Sequence, residues 1–318
     1  MLPKLSKFFK SNKSSQTDPN FLVISVDQEN ITLGYFESDG VHSSLIKAVE
    51  EERTADLFRV IKTGLSNLAE GSALPQRLIL GISEPSIETM TTIARLNRDN
   101  NQKEVASVDI EKVLTQVGTD YDSGVKELFF SAVTSTVLDG LRVSNPVGVR
   151  GNMLELGCFN AYMSKERLDY FDNLSSELEL DLEKIVPTEY AIVRSFLDSG
   201  TKDGILIKVL KEHTSVSFVE ESNIVGIKSF SLGLADNIFW ATGLSATLEE
   251  FTDQAHWPTL LSFYDTPKFS ELEHSIKEKL PVQFPELAEL NIEDLNERLS
   301  LSHTDLVLNS LSNEEANT

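Results

Sequence analysis

Residues able to do chemistry are few in this sequence, and they are scattered. The five histidines are His42, His213, His256, His274 and His303, and there is one cysteine, Cys158. No histidine stands at zinc-ligand spacing from Cys158 or from another histidine, so no metal centre is expected. Glu271, Glu273 and His274 lie together, yet on a surface helix such a group is a solvated face. Cys158, with Leu156 and Phe159 beside it, reads as a buried, inert thiol. A lone cysteine also forbids an intrachain disulfide and points to a reducing compartment. Neither a Gly-x-Ser-x-Gly elbow nor a Gly-x-x-x-x-Gly-Lys loop is present. No catalytic residues are expected.

One segment does carry a distinct interfacial chemistry. Lys4, Lys7, Lys10 and Lys13 give residues 1–13 a charge of +4, on a chain whose net charge is −22. At about 100° per residue, Leu2, Leu5, Phe8 and Phe9 fall in one arc and the lysines in the other, and Pro3 suits a first helical turn. Apolar anchors with a basic flank suit an anionic membrane surface, so Leu2, Lys4, Leu5, Lys7, Phe8, Phe9 and Lys10 are the expected membrane contacts. The acidic remainder argues against nucleic acid as a partner. No run of about 18 apolar residues occurs, and the N-terminus lacks the apolar core of a secretory signal. The expected location is the cytoplasm, peripheral at the inner face of the cytoplasmic membrane.

The elements that would position any site follow from hydropathy. Ser11 to Asn20 reads as a linker. Phe21–Val26 and Ile31–Glu37 predict a hairpin around the polar group Asp27-Gln28-Glu29-Asn30, with Ser44–Ile46 as a third strand. Leu57, Phe58, Ile61, Leu65 and Leu68 stand at helical spacing, and Leu78–Ile82 suits a buried strand. Strands are expected at Phe129–Leu138, Met153–Ala161 and Lys184–Val186, with helices at Ser107–Gln116, Lys165–Leu178 and Thr188–Leu197. Gly204–Leu210, Ser215–Val219 and Ile224–Leu232 repeat the opening outline of strand, polar turn, strand, strand. Leu248–Leu301 reads as mostly helical, and Leu306–Leu308 as a short apolar strand.

The stretch Asp139-Gly140, Asn145-Pro146, Gly148, Gly151, Leu154-Glu155 resembles the segment that closes the inserted subdomain of the bacterial cell-division protein FtsA. Ala94–Arg98, Ser107–Ile110 and Pro187–Phe196 are similar to further parts of that family, so the resemblance covers roughly residues 20–240. It implies an α/β, actin-like (ribonuclease H-like) two-lobed fold with an inserted α+β subdomain. The implied boundaries are 1–19 for the basic head and linker, 20–84 plus 163–200 for the first lobe, 85–162 for the insertion, and 201–318 for a reduced second lobe.

Actin-like ATPases hold phosphates on two glycine-rich hairpins, because glycine lets backbone N–H groups come close, and an aspartate at each manages the metal. Here the first hairpin has Ser25 in place of the metal-side carboxylate and Asp27 in place of glycine. Asp27 and Glu29 are expected to turn negative charge on a polyphosphate. In the second, Lys208 replaces the first aspartate, Leu210, Lys211 and Glu212 replace the glycines, and Ser215 replaces the last aspartate. Lys208 and Lys211 are expected on an exposed turn. The third, adenosine-side cluster would fall at Asn309–Ser312, which contains no glycine.

The resemblance with these losses implies a pseudo-ATPase without cofactor. It would be a scaffold binding bacterial division proteins, including the tubulin-like one, with self-association supplying avidity. The alternatives are a PilM-like assembly platform of a pilus or secretion system, or a switch retaining weak ATP–magnesium binding.

Overall fold

The computed structural model describes residues 19–39, 42–98, 104–120, 125–143, 145–251, 257–264, 266, 269–285 and 289–314. The expected membrane contacts at residues 2–10, together with His256, lie outside them.

Two five-stranded sheets share one design. In the first, β1 (Phe21–Val26) is flanked by β2 (Asn30–Ser38) and β4 (Arg77–Ile82), with β3 (Ser43–Glu52) and, later in the chain, β9 (Asp181–Pro187) at the edges. β1, β2 and β3 pair antiparallel, while β1, β4 and β9 run parallel. In the second sheet, β10 (Gly204–Val209), β11 (Thr214–Glu220) and β12 (Asn223–Phe230) form the antiparallel half. β13 (Leu260–Phe263) and β14 (Asn291–Asp294) add the parallel half in the same order. The central strands β1 and β10 are buried along their whole length, as strands covered on both faces must be.

The region expected to be mostly helical therefore contains two strands, and the second sheet is as wide as the first. Helices α5 (Asn237–Glu249) and α6 (Phe269–Gln283) pack on it through Trp240, Leu244, Ile276 and Leu280. After the short α7 (Leu295–Leu299), the expected strand at Leu306–Leu308 is instead a helix, α8 (His303–Ser312), capped by the Ser302 hydroxyl accepting the Asp305 N–H at 3.0 Å. This helix crosses back to the first sheet. Its Leu308 and Leu311 reach Gly34 and Gly81, the latter so closely that an added Cβ would stand 2.3 Å from Leu311 Cδ1.

Helix α1 (Leu57–Ala69) buries Leu57, Ile61 and Leu68, the expected apolar stripe. Helices α3 (Lys165–Glu177) and α4 (Thr188–Asp198) complete the first lobe. Between β4 and β9 the chain builds a four-stranded antiparallel sheet of order β5-β8-β6-β7. Its strands are β5 (Glu88–Asn97), β6 (Lys126–Leu138), β7 (Leu141–Arg142) and β8 (Met153–Ser164). Helix α2 (Ser107–Asp120) covers one face around Leu154, Leu156 and Cys158. Phe130 packs at a tilt on Tyr190 at 4.8 Å and Phe159 stacks on it at 5.0 Å, fastening this sheet to α4.

The Asp139–Glu155 motif has an architectural explanation. Asp139 and Gly140 both take positive φ, 50° and 82°, in a tight turn. The Asp139 carboxylate accepts the N–H groups of Asn152 and Met153, and the Asn145 side chain accepts that of Val147. Gly148 has φ of 83°, and a Cβ at Gly151 would collide with Leu138 at 2.5 Å. The motif closes the inserted sheet.

Candidate functional site

The two hairpins expected to have lost phosphate binding meet between the lobes and bond to one another. Strand β1 ends in a turn where Asp27 Oδ1 accepts the N–H groups of Glu29 at 2.7 Å and Asn30 at 2.6 Å. In a glycine-rich loop such N–H groups would be offered to a phosphate. Asp27 Oδ2 faces Lys208 Nζ of β10 at 3.4 Å, with the two side chains only 8% and 3% exposed. From the second hairpin, the Lys211 N–H donates to Glu29 Oε1 at 2.8 Å. The carboxylates expected to repel a polyphosphate therefore accept backbone N–H groups of both hairpins. Burial alone would raise the Asp27 carboxyl. The Lys208 ammonium and the two turn N–H groups outweigh burial and hold it below the ordinary carboxylate range.

Lys208 thus lies buried in a strand, and the expectation of an exposed turn is corrected for it; it alternates inward with β10 and finds its counter-ion across the cleft. Lys211 and Glu212 do sit exposed at the tip. The tip backbone is engaged as well. Leu210 and Lys211 carbonyls accept the N–H groups of Leu234 and Ala235, at 3.0 and 2.9 Å. Gly233 passes so close that a Cβ there would lie 2.1 Å from the Leu210 carbonyl oxygen. Thr214 donates to the Leu232 carbonyl and accepts from Trp240 Nε1 at 2.9 Å.

Ser25 is buried, its Oγ 3.4 Å from Thr188 Oγ1, and Ser215 pairs with Lys208 in the ladder. The Asn309–Ser312 stretch is interior helix and joins no site. Cys158 is fully buried in β8, and burial pushes its thiol up to about 11. Among the described residues, no group of three or more His, Cys, Asp or Glu is arranged to hold a metal ion. No helix among them is long and apolar enough to cross a membrane.

Sequence reasoning missed the groups around this junction. Glu189, in the first turn of α4, is 8% exposed and accepts a hydrogen bond from Ser83 Oγ. Burial, opposed by Lys208 and Ser83, pushes its carboxyl above the ordinary range. His213, 6% exposed, is pushed down to about 4 by burial and the Lys208 charge, and is neutral at pH 7. Arg53 and Arg167 share the carboxylate of Glu84.

Two clefts flank the junction. One, of about 1050 Å³, opens at the hairpin tips, where Arg53, Arg167, Glu84 and Glu29 are already tied to other groups of the chain. The other, of about 550 Å³, runs between the inserted sheet and the second lobe. Its walls are Glu88–Thr91 of β5 and Val225–Ser229 of β12, each the edge strand of its sheet. Glu189, His213 and Ser215 also line it. The two edges touch where Thr89 Oγ1 donates to the Ile227 carbonyl.

No protein-family model matches the sequence, and no curated protein matches it. Among solved structures, a PilM–PilN type IV pilus biogenesis complex matches with a TM-score of 0.63 at 11% identity, covering 93% of this chain and 98% of that one. A Bacteroides thetaiotaomicron protein of unknown function with an actin-like ATPase fold matches with a TM-score of 0.50 at 10% identity, covering 93% and 96%. At such identities the likeness speaks for the backbone alone. This chain has the actin-like ATPase fold, two-lobed and α/β.

Proposed function

We propose that this protein is a non-catalytic scaffold, its nucleotide site taken over by its own side chains, that holds an extended segment of a protein partner. The observation carrying the first half is the Asp27–Lys208 pair, buried where the two phosphate hairpins converge. With the turn N–H groups bound to Asp27, and Lys211 N–H bound to Glu29, the loops offer a triphosphate few donors and two carboxylates. The second half is supported by the cleft between β5 and β12. Unpaired strand edges bind extended peptides through main-chain hydrogen bonds, and here two of them face each other.

Of the two cellular roles implied at the outset, an assembly platform of the PilM kind has the added support of a backbone likeness over nearly the whole chain. The division-scaffold reading rested on the Asp139–Glu155 motif. Its turn and close-packing roles do not discriminate between the two, because any chain closing such a sheet needs them. In either role the basic head at residues 2–13 would bring the scaffold to the inner face of the membrane.

Two experiments test the reading. Immobilised wild-type protein should retain either a short peptide of a pilus membrane protein or the tubulin-like division protein, and whichever binds assigns the role. Ser229, exposed on the cleft wall, offers a clean block: Ser229→Trp should abolish capture while leaving the circular dichroism spectrum unchanged. Capture undiminished by that change would put the partner site elsewhere.

A further inference from the structure

The charged side chains around the β5–β12 cleft are already provided for by the chain. Glu84 is held by Arg53 and Arg167, Glu88 by Lys126 at 2.7 Å, and Glu250 by Lys228 at 3.0 Å. Glu189 accepts from the Ser83 hydroxyl and from its own backbone N–H. Two other lining groups are left over. Among the described lining residues, His213 Nδ1 and Thr91 Oγ1 are the buried side-chain atoms with no hydrogen-bond partner. They come from different walls. His213, 6% exposed, stands in the turn between β10 and β11. Thr91 lies two residues after Thr89 on β5, so its side chain leaves the strand on the face from which Thr89 reaches the Ile227 carbonyl.

We propose that His213 and Thr91 line an uncharged subsite that takes a side-chain amide, glutamine or asparagine, from the extended partner segment that docks in this cleft. The proposal rests on the docking reading above and names the chemistry of one residue of the occupant. A buried donor or acceptor without a partner is costly, so a ligand that supplies the partner gains affinity.

Burial and the Lys208 charge keep the His213 ring neutral at pH 7, with one nitrogen able to donate and the other to accept. The Thr91 hydroxyl can do either. An amide carries a carbonyl and an NH2 group, so it suits both ring tautomers and the hydroxyl. A cation would lie against Lys208, the charge that already opposes protonation of His213. A carboxylate would enter among the acidic side chains of the lining, Glu84, Glu88, Glu189 and Glu250. An apolar side chain would leave both atoms without a partner.

The test is calorimetry with blocked nine-residue peptides of alternating Thr and Val, with Gln, Met, Glu or Lys at the centre. Gln, Met and Glu are close in size, so their differences report polarity and charge. The Gln peptide should bind wild-type protein at least about fivefold tighter than the Met peptide, the usual gain from one buried hydrogen bond, and tighter than the Glu and Lys peptides. In protein labelled with 15N-histidine, the Gln peptide should shift the His213 Nδ1 resonance by more than the Met peptide does. The double variant His213→Phe, Thr91→Val should erase the preference. Equal binding of the Gln and Met peptides to wild-type protein overturns the subsite and needs no variant to fold. So does a Glu or Lys peptide that matches Gln, a Gln preference without the larger shift at His213, or a preference that survives the double variant. If Ser229→Trp blocks all four equally bound peptides, the cleft stands and the subsite falls. If no peptide binds the wild-type protein, both fall. Tighter binding of a synthetic copy of residues 1–18, blocked by Ser229→Trp, would give the cleft to the chain's own head and overturn the partner assignment.

Discussion

Removing one member of the Asp27–Lys208 pair should destabilise the protein far more than removing both. The two charges lie 3.4 Å apart and are almost wholly shielded from water. With an effective dielectric constant of about 20, their attraction is about 5 kcal/mol. Desolvation consumes much of that, yet a single deletion leaves the other charge facing a low-dielectric site, which typically costs about 3–5 kcal/mol. Lys208→Met preserves the stem volume, and Asp27→Asn preserves the acceptor for the Glu29 and Asn30 N–H groups. Each single change should therefore cost about 3 kcal/mol in urea unfolding. The double variant should cost less than the sum by at least about 2 kcal/mol, since an apolar and a neutral polar group can share the site. Circular dichroism and tryptophan fluorescence, which reports on Trp240 and Trp257 of the second lobe, should give the same midpoints. Additive effects within about 0.5 kcal/mol would refute the claim that this pair holds the hairpins together.

Four further outcomes follow from the titrating groups, the packing and the head. His213 falls from 6.5 to about 4 on folding, so the unfolded chain binds the proton more readily. Stability should be full above pH 6.5, lost between pH 6.5 and 4 by up to about 3 kcal/mol, and flat in this respect below that, and His213→Phe should remove that limb of the pH profile. Asp27, shifted the other way relative to its charge, should add a loss only as pH drops below about 4. Gly81→Ala should cost about 1–3 kcal/mol, because the new Cβ meets Leu311 Cδ1 and Thr188 Oγ1 and must push α8 off the first sheet; thermal melts that leave the midpoint in place would contradict that packing. Co-sedimentation with anionic vesicles should be lost in the Leu5→Asp and Phe8→Asp variants, and unchanged pelleting would sink the membrane role of the head.

Much of the frame could be read from residues alone because burial imposes periodicity. The α1 stripe of Leu57, Ile61 and Leu68 and the wholly apolar Phe21–Val26 left little choice of element. The turns were equally legible, since Asp139-Gly140 and Asn145-Pro146 carry local chemistry. Short apolar runs were the weak point. Leu306-Val307-Leu308 suits strand or helix, and the deciding signal was the Ser302–Asp305 cap just upstream. Leu260–Phe263 was absorbed into a helical reading although four residues suffice for a buried parallel strand.

The site was legible only as a loss. Missing glycines suggested the proposed loss at both hairpins, but the ion pair that joins them depends on a contact between residues 181 positions apart. One local signal was available. Lys208 stands in a strand of otherwise apolar residues, Gly-Ile-Leu-Ile-Lys-Val, and a lysine there requires a buried partner. Glu189 gave no such hint, because an acid in a helix's first turn is ordinary end-capping chemistry. Its place on the cleft floor comes from the packing of α4 against both lobes.

The central claim is that Asp27, Glu29 and Lys208 occupy the place of a nucleotide. Isothermal titration of the wild-type protein with ATP and magnesium addresses it without any variant. The account predicts no saturable heat at millimolar nucleotide and no shift in thermal midpoint. Stoichiometric binding with a micromolar dissociation constant would contradict it.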